Sequence, residues 1–245
     1  MKLNCDLGES FGCWKMGIDE AVMPYIDMAN VACGFHAGDA NVMHQTLLLA
    51  KQHNVEIGAH PSYKDLDGFG RRSIPHSEQE IINLMIYQVS ALMGMATSLG
   101  MSLSYVKPHG ALYNDMMAKP AVRVAVFKAM QQINLALSEP LKLMMLATSF
   151  ANEHRQNAKT FDIELLFEAF ADRRYTDDGY LQSRAIEGSV LNTEQLLKQV
   201  KTLHQQGYVE TETGNRLDIE ADTICVHGDN EHSIKLIEQI KGLCG

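Results

Sequence analysis

The sequence predicts an α/β fold in which about seven parallel strands form a complete or incomplete (β/α) barrel. Short apolar runs typical of strands alternate with longer helical patterns, and such alternation implies parallel strands joined by right-handed crossovers. About seven strand–helix units in one domain favour a barrel over an open sheet. Polar clusters of carboxylates, histidines and glycines follow nearly every predicted strand, as they do at the active end of such barrels.

The predicted strands are short runs of mostly apolar residues, and the predicted helices carry apolar residues at helical spacing. The strands are Lys2–Asp6, Asp27–Ala32, Val55–Ala59, Leu103–Lys107, Leu141–Leu146, Ile163–Phe167 and Thr223–Val226. The helices are Ala40–His53, Ser77–Leu99, Ala121–Ile133, Ser149–Asn157, Thr193–Gln206 and Glu231–Leu243. Ser77 and Glu80 form a capping-box pattern, and Thr193 is predicted to cap the next-to-last helix, which ends at Gly207.

Composition favours one domain spanning residues 1–245. The chain is 46% hydrophobic, enough for a large core, and no Pro/Gly/Ser-rich linker divides it. With 21 Lys and Arg against 30 Asp and Glu, its net charge of −9 gives no footprint for nucleic acid or an anionic membrane. Five cysteines without a CxxC pair, and apolar runs too short to span a bilayer, predict a soluble cytoplasmic protein.

Strand alternation directs several polar residues into the barrel. Asn4 and Asp6 share one face of the first strand, while apolar residues occupy the other face. A carboxylate inside a barrel needs partners or a chemical function. Asp6 could merely accept hydrogen bonds from loop amides, but Glu9 follows closely, and the pair favours a functional interpretation.

Four histidines lie at the ends of separate predicted strands: His36, His60, His109 and His227. The fourth strand also places Lys107 on the same face as His109. One buried histidine is more often a hydrogen-bonded core residue than a catalyst. Four of them converging on one end of a barrel indicate a site.

Two chemistries fit these residue types. A carboxylate or histidine could activate water while lysine and histidine stabilise an oxyanion. Alternatively, Asp6 and two histidines could hold a divalent metal ion. No HxxxH or HExxH spacing supports the metal, so the metal-free chemistry is slightly favoured. The Gly68–Arg72 loop could approach an anion, but no P-loop, Rossmann GxGxxG or GxSxG motif occurs.

Together these clusters resemble the LamB/YcsF family, which is also known as the family of the 5-oxoprolinase A subunits. The matching motifs are Asn4–Glu9, Asn30–Asp39, Gly58–Tyr63, Gly68–Arg71, Lys107–Asn114, Phe170–Tyr175 and Val226–Asp229. They extend over nearly the whole chain, and runs such as Cys-Gly-Phe-His-Ala-Gly-Asp are long and specific.

The resemblance implies a distorted (β/α) barrel similar to the glycoside hydrolase and deacetylase group. It also implies ATP-dependent hydrolysis of 5-oxoproline to L-glutamate, in a complex with partner B and C subunits. ATP is then a co-substrate. Because this chain has no recognisable nucleotide-binding loop, we expect ATP to be bound largely by the partner subunits.

This chemistry needs a base, groups that stabilise negative charge, and a cation for the substrate carboxylate. The expected catalytic residues are Asp6, Glu9, His60, Lys107 and His109. The expected substrate-binding residues are Asn4, His36, Asp39, Arg71, Glu168, Arg173, His227 and Asp229. Asp6 or His109 would be the base, Lys107 and His60 would stabilise negative charge, and Arg71 or Arg173 would hold the carboxylate or a phosphate.

Two other functions fit the same residues. The first is a metal-dependent deacetylase or sugar hydrolase on the same barrel, suggested by Asp6 and the histidines. The second is a non-catalytic subunit that only presents 5-oxoproline to its partners.

Overall fold

Seven parallel strands close into a barrel, as the sequence predicts. The computed structural model describes residues 1–183, 186–227 and 231–244. The barrel strands are β1 Lys2–Leu7, β2 Met28–Ala32, β3 Glu56–His60, β4 Tyr105–Val106, β5 Lys142–Leu146, β6 Leu165–Phe170 and β9 Thr223–Val226. Closure occurs because β9 pairs with β1 on one side and with β6 on the other. Every predicted strand is therefore confirmed.

Helices connect the strands. They are α1 Asp19–Val22, α2 Ala40–His53, α3 Glu78–Ser98, α4 Gly110–Ala118, α5 Pro120–Asn134, α6 Ala151–Lys159, α7 Thr193–Gln206 and α8 Glu231–Cys244, with a 3₁₀ turn at Met23–Tyr25. The predicted capping box of Ser77 and Glu80 starts α3, and Gly207 ends α7 in the left-handed conformation. The predicted cap of α7 is wrong by one residue, because Asn192 caps it and Thr193 is its first residue.

Besides the short helix α1 and the 3₁₀ turn that follows it, two elements have no counterpart in the sequence prediction. One is the antiparallel hairpin of β7 Tyr208–Glu210 and β8 Arg216–Asp218. The other is α4, which begins at Gly110. A Cβ atom at position 110 would lie 2.5 Å from the Gly70 carbonyl oxygen, and Gly110 has φ of +55°. Glycine is thus required for close backbone approach at the start of this helix, although in sequence it resembles a turn.

The barrel separates an apolar outer layer from a polar lumen. Leu3 and Cys5 pack outward in the main core with the surrounding helices, whereas Asn4, which lies between them, is fully buried inside the barrel. A separate small cluster of Met28, Tyr105 and Met144 fills part of the lumen.

The sequence predicts apolar runs too short to span a bilayer, but helix α3 is, by length and composition alone, long and apolar enough to cross one. Several of its apolar side chains, including Met85, Val89 and Leu92, are buried in the main core, while Tyr87 is 63% exposed. The helix contacts α5 and β3. Burial of this kind is typical of a core helix.

Gly58 has no side chain, and the Tyr105 ring fills the space where a side chain at position 58 would lie. A Cβ atom at position 58 would lie 2.1 Å from that ring, while the Tyr105 hydroxyl donates a hydrogen bond to Asn30 Oδ1 at 2.7 Å. We expect Gly58→Ala to lower the free energy of unfolding by about 1–3 kcal/mol, because the ring must move within a packed interior. Urea denaturation measures this change.

The matched control is Gly94→Ala, on the exposed face of α3, where a new Cβ meets no atom within 4 Å. Alanine has a higher helix propensity than glycine, so this variant should be more stable by up to about 1 kcal/mol. Equal effects at the two glycines would contradict the packing of Tyr105 described above.

His154 on α6 is 4% exposed, and neither of its ring nitrogens has a hydrogen-bond partner among the described residues. Burial, followed by the charge of Arg123, lowers the pKa of this histidine below its ordinary 6.5. As the pH falls through 6.5, the unfolded chain gains a proton that the folded chain does not bind, so wild-type stability decreases. In the His154→Leu variant, stability no longer decreases through protonation of this residue in the unfolded chain. The variant also lacks the buried ring nitrogens that have no hydrogen-bond partner.

We therefore expect His154→Leu to stabilise the protein by about 1 kcal/mol at pH 8 and by more at pH 5.5. The measurement is urea denaturation of both proteins at the two pH values. A benefit that shrinks at the lower pH would contradict a neutral buried His154.

Candidate active site

Asp6 is the centre of the polar lumen, at the carboxyl end of β1. Its Oδ1 accepts hydrogen bonds from Lys107 Nζ at 2.9 Å and Asn30 Nδ2 at 2.8 Å. Its Oδ2 lies 3.4 Å from His60 Nε2. These side chains come from β1, β2, β3 and the residue that follows β4, and they meet at one point, as strand alternation predicts.

Lys107 is 3% exposed and lies between two carboxylates. Its Nζ is 3.0 Å from Glu168 Oε2 and 3.3 Å from Asn4 Oδ1, in addition to its contact with Asp6. Cys225 Sγ is also close, at 3.4 Å. The ammonium group is thus surrounded by acceptors, and its clearest role is to hold two buried carboxylates in place.

The charges of these groups depend on one another. Burial would lower the pKa of Lys107, but Asp6, Cys225 and Glu168 raise it well above its ordinary value. Burial would likewise raise the pKa of Asp6, but His60 and Lys107 hold it well below its ordinary value. Both groups are therefore ionised at neutral pH.

Three histidines lie beside Asp6. His60 Nε2 and His109 Nδ1 are 2.9 Å apart, and the His36 and His109 rings are stacked with centroids 3.7 Å apart. Glu9 Oε1 is 3.3 Å from His36 Nε2 and 3.7 Å from His109 Nδ1. Burial, followed by the charges of neighbouring histidines, lowers the pKa values of His36 and His109. Burial and the charge of Asp6 raise the pKa of Glu9.

A cavity of about 650 Å³ opens over these groups. Of the residues predicted for the site, those that line it are Asp6, Glu9, His60, Arg71, Lys107, His109, Arg173 and His227. Apolar side chains form much of the remaining wall, including Met16, Phe69, Met117 and Leu181. A concave site with a few convergent polar groups is typical of a small-molecule pocket.

Two cations and one histidine lie around the outer part of the cavity. The Arg71 guanidinium is 5.3 Å from the centre of the Phe69 ring. Arg173 is largely buried and donates a hydrogen bond to the Gln182 carbonyl. His227 Nδ1 lies 3.0 Å from a carboxylate oxygen of Asp172.

The other predicted residues have different positions. Asn4, His36 and Glu168 are buried behind the groups that line the cavity. Asp39 is not one of the lining residues, since it caps α2 by accepting hydrogen bonds from the amides of Asn41 and Val42. Its predicted contact with substrate is therefore replaced by a structural role. Asp229 lies outside the described residues.

Asn30 and Tyr105 connect Asp6 to the opposite wall of the lumen, and neither was predicted for the site from the sequence. The same alternation that directs Asp6 inward, applied to β2, would have found Asn30. The Phe69 carbonyl, which accepts a hydrogen bond from His109 at 2.9 Å, was also not predicted. No side-chain pattern indicates a backbone contact of this kind.

Sequence comparison assigns the family of this barrel. The model of the LamB/YcsF family matches residues 1–244. The chain belongs to the LamB/YcsF family.

Individual relatives of this LamB/YcsF protein agree with that assignment. It is 54% identical to the A subunit of 5-oxoprolinase from Vibrio campbellii over 242 residues, covering 98% of this chain and 94% of the relative. It is 47% identical to the same subunit from Pseudomonas fluorescens over 240 residues, covering 98% and 94%. Among solved structures, the lactam utilization protein from Thermus thermophilus matches with a TM-score of 0.89 and 32% identity, covering 99% of this chain and 95% of that one.

Proposed function

We propose that this chain is the A subunit of an ATP-dependent 5-oxoprolinase, which opens the lactam of 5-oxoproline to L-glutamate together with B and C subunits. The observation that carries the proposal is the convergence of Asp6, His60, Lys107 and His109 beneath one cavity. The names of the relatives, a 5-oxoprolinase subunit and a lactam utilization protein, support a cyclic amide as the substrate.

The residues around the cavity supply what lactam hydrolysis needs. Water adds to the carbonyl carbon while Asp6 or His109 accepts its proton, the C–N bond breaks, and the ring nitrogen leaves as the protonated amine. His60 and Lys107 stabilise the negative charge of the developing oxyanion. Arg71 or Arg173 binds the substrate carboxylate at the mouth.

ATP is consumed because a five-membered lactam is a stable amide whose carbonyl needs activation before water attacks. We place nucleotide binding largely on the partner subunits, since this chain has no Walker-type glycine loop. The barrel described here then completes the hydrolysis.

The direct test is an omission experiment with purified subunits. Glutamate release from 5-oxoproline and ATP is measured with the B and C subunits alone and after this chain is added. We expect glutamate only in the complete mixture. Equal glutamate release in both mixtures would refute the proposal.

The same assay separates catalysis from mere presentation of substrate. If this chain only presents 5-oxoproline, variants of its cavity weaken substrate binding, yet partner ATP turnover still responds to saturating substrate. If it catalyses ring opening, such variants stop glutamate release even when substrate is saturating.

A further inference from the structure

We propose that His60, His109 and Glu9 form a binding site for a divalent transition-metal ion at the base of the cavity. Each of the three residues offers one ligand atom, and these atoms lie within 4.8 Å of one another. The inference rests on the arrangement of lone pairs and not on the identity of the substrate, so the two proposals can fail separately. A bound ion would occupy His109 Nδ1 and leave Asp6 as the base.

The hydrogen bonds of the two histidines fix which nitrogens carry protons. A carbonyl oxygen only accepts, so His60 Nδ1 donates its proton to the Lys107 carbonyl at 2.6 Å. For the same reason His109 Nε2 donates to the Phe69 carbonyl at 2.9 Å. In the neutral rings, the lone pairs of His60 Nε2 and His109 Nδ1 then face each other across 2.9 Å. Two acceptors at this distance need a positive species between or beside them.

Carboxylates strengthen that requirement. Glu9 Oε1 lies 3.7 Å from His109 Nδ1, and Asp6 Oδ2 lies 3.4 Å from His60 Nε2. Lys107 contacts Asp6 at Oδ1, whereas His60 lies against Oδ2 of the same carboxylate. The site therefore combines two imidazole lone pairs with nearby negative charge.

The orientation of the rings selects the ligands. The His60 and His109 rings are nearly perpendicular, at 85°, and their facing nitrogens are 2.9 Å apart, so one ion can contact both. The His36 ring is stacked parallel to His109, at 4°, so an ion in the plane of His109 lies out of the plane of His36. His36 instead contacts Glu9 at 3.3 Å and is a positioning residue for that carboxylate.

The donor set fits zinc or a similar ion better than magnesium or calcium, which prefer oxygen ligands. Ligand histidines in such sites usually donate their second N–H to a carbonyl or carboxylate, as both do here. Three protein ligands facing a cavity leave a position for water or substrate. An ion bound there would lower the pKa of a coordinated water or polarise a carbonyl.

The test is calorimetric titration of the purified full-length chain with Zn²⁺, in two buffers that differ in ionisation enthalpy. We expect one ion per chain, with the same stoichiometry in both buffers. His60→Gln and His109→Gln should each weaken binding by at least about 100-fold. The matched control His44→Gln changes an exposed histidine on α2 and should leave binding unchanged.

Circular dichroism establishes that each variant is folded, and Glu9→Gln provides a third variant should either histidine variant not fold. Absence of zinc binding to the wild-type chain would overturn the proposal. Binding that His60→Gln, His109→Gln and Glu9→Gln leave intact would also overturn it. In that case a proton, and not a metal ion, bridges the two nitrogens 2.9 Å apart, and the metal-free chemistry favoured from the sequence stands.

Discussion

Asp6→Asn should abolish glutamate release by the assembled enzyme, lowering kcat by at least about 1000-fold. The substitution keeps the shape of the side chain but removes the negative charge that faces His60 and Lys107. Because Lys107 keeps its contact with Glu168 at 3.0 Å, we expect the chain to remain folded. Glutamate release at saturating 5-oxoproline and ATP, with a thermal unfolding curve for the same sample, measures both effects.

Asp39→Asn is the matched control, since it makes the same chemical change at a carboxylate that caps α2 outside the cavity. Asparagine caps helices about as well as aspartate, so turnover should change little. Loss of the hydrogen bond from Gly12 N–H to Oδ2 should lower the free energy of unfolding by about 1 kcal/mol. Near-normal turnover of Asp6→Asn would refute its catalytic assignment, as would equal losses in the two variants.

Lys107→Met should lower the free energy of unfolding by about 3–5 kcal/mol. In the wild-type protein, Lys107 Nζ lies 2.9 Å from an oxygen of Asp6 and 3.0 Å from an oxygen of Glu168. The substitution leaves both carboxylates in the lumen without this shared cation. An uncompensated buried charge is far more costly than a missing contact. Urea denaturation at pH 7.5 gives the change directly.

Two further variants of this chain serve as controls for this prediction. Lys198→Met breaks an exposed pair with Glu210 and should cost no more than about 1 kcal/mol. Adding Glu168→Gln to Lys107→Met removes one of the two stranded charges and should recover part of the lost stability. A Lys107→Met variant as stable as Lys198→Met would show that the lumen does not depend on this cation.

The barrel could be predicted because its signals are local and repeated. Each strand is a short apolar run, and each is followed by a helix with clear spacing, as Ser77 and Gly207 illustrate at the helix ends. Closure of the barrel and the direction of Asp6 then follow from strand count and alternation. These features require no knowledge of distant contacts.

Other features depend on contacts between segments far apart in the chain. Helix α4 begins at Gly110, where the Gly70 carbonyl approaches so closely that a Cβ atom would not fit. No residue near position 110 in the sequence indicates this approach. Asp39 was placed in the site by its motif, but the local amides of α2 bind it first. The facing lone pairs of His60 and His109 arise from two carbonyl contacts that have no sequence signature.

If this chain is a 5-oxoprolinase subunit as proposed, 5-oxoproline binds over the histidines of the barrel lumen. Imidazole NMR signals of this chain, labelled within the complex with its partners, test it during titration with 5-oxoproline. We predict shifts for His36, His60 and His109, which lie in or against the cavity, and none for His204, which lines a separate cavity of about 360 Å³. Shifts at His204 with unchanged signals from the three lumen histidines would contradict the claim.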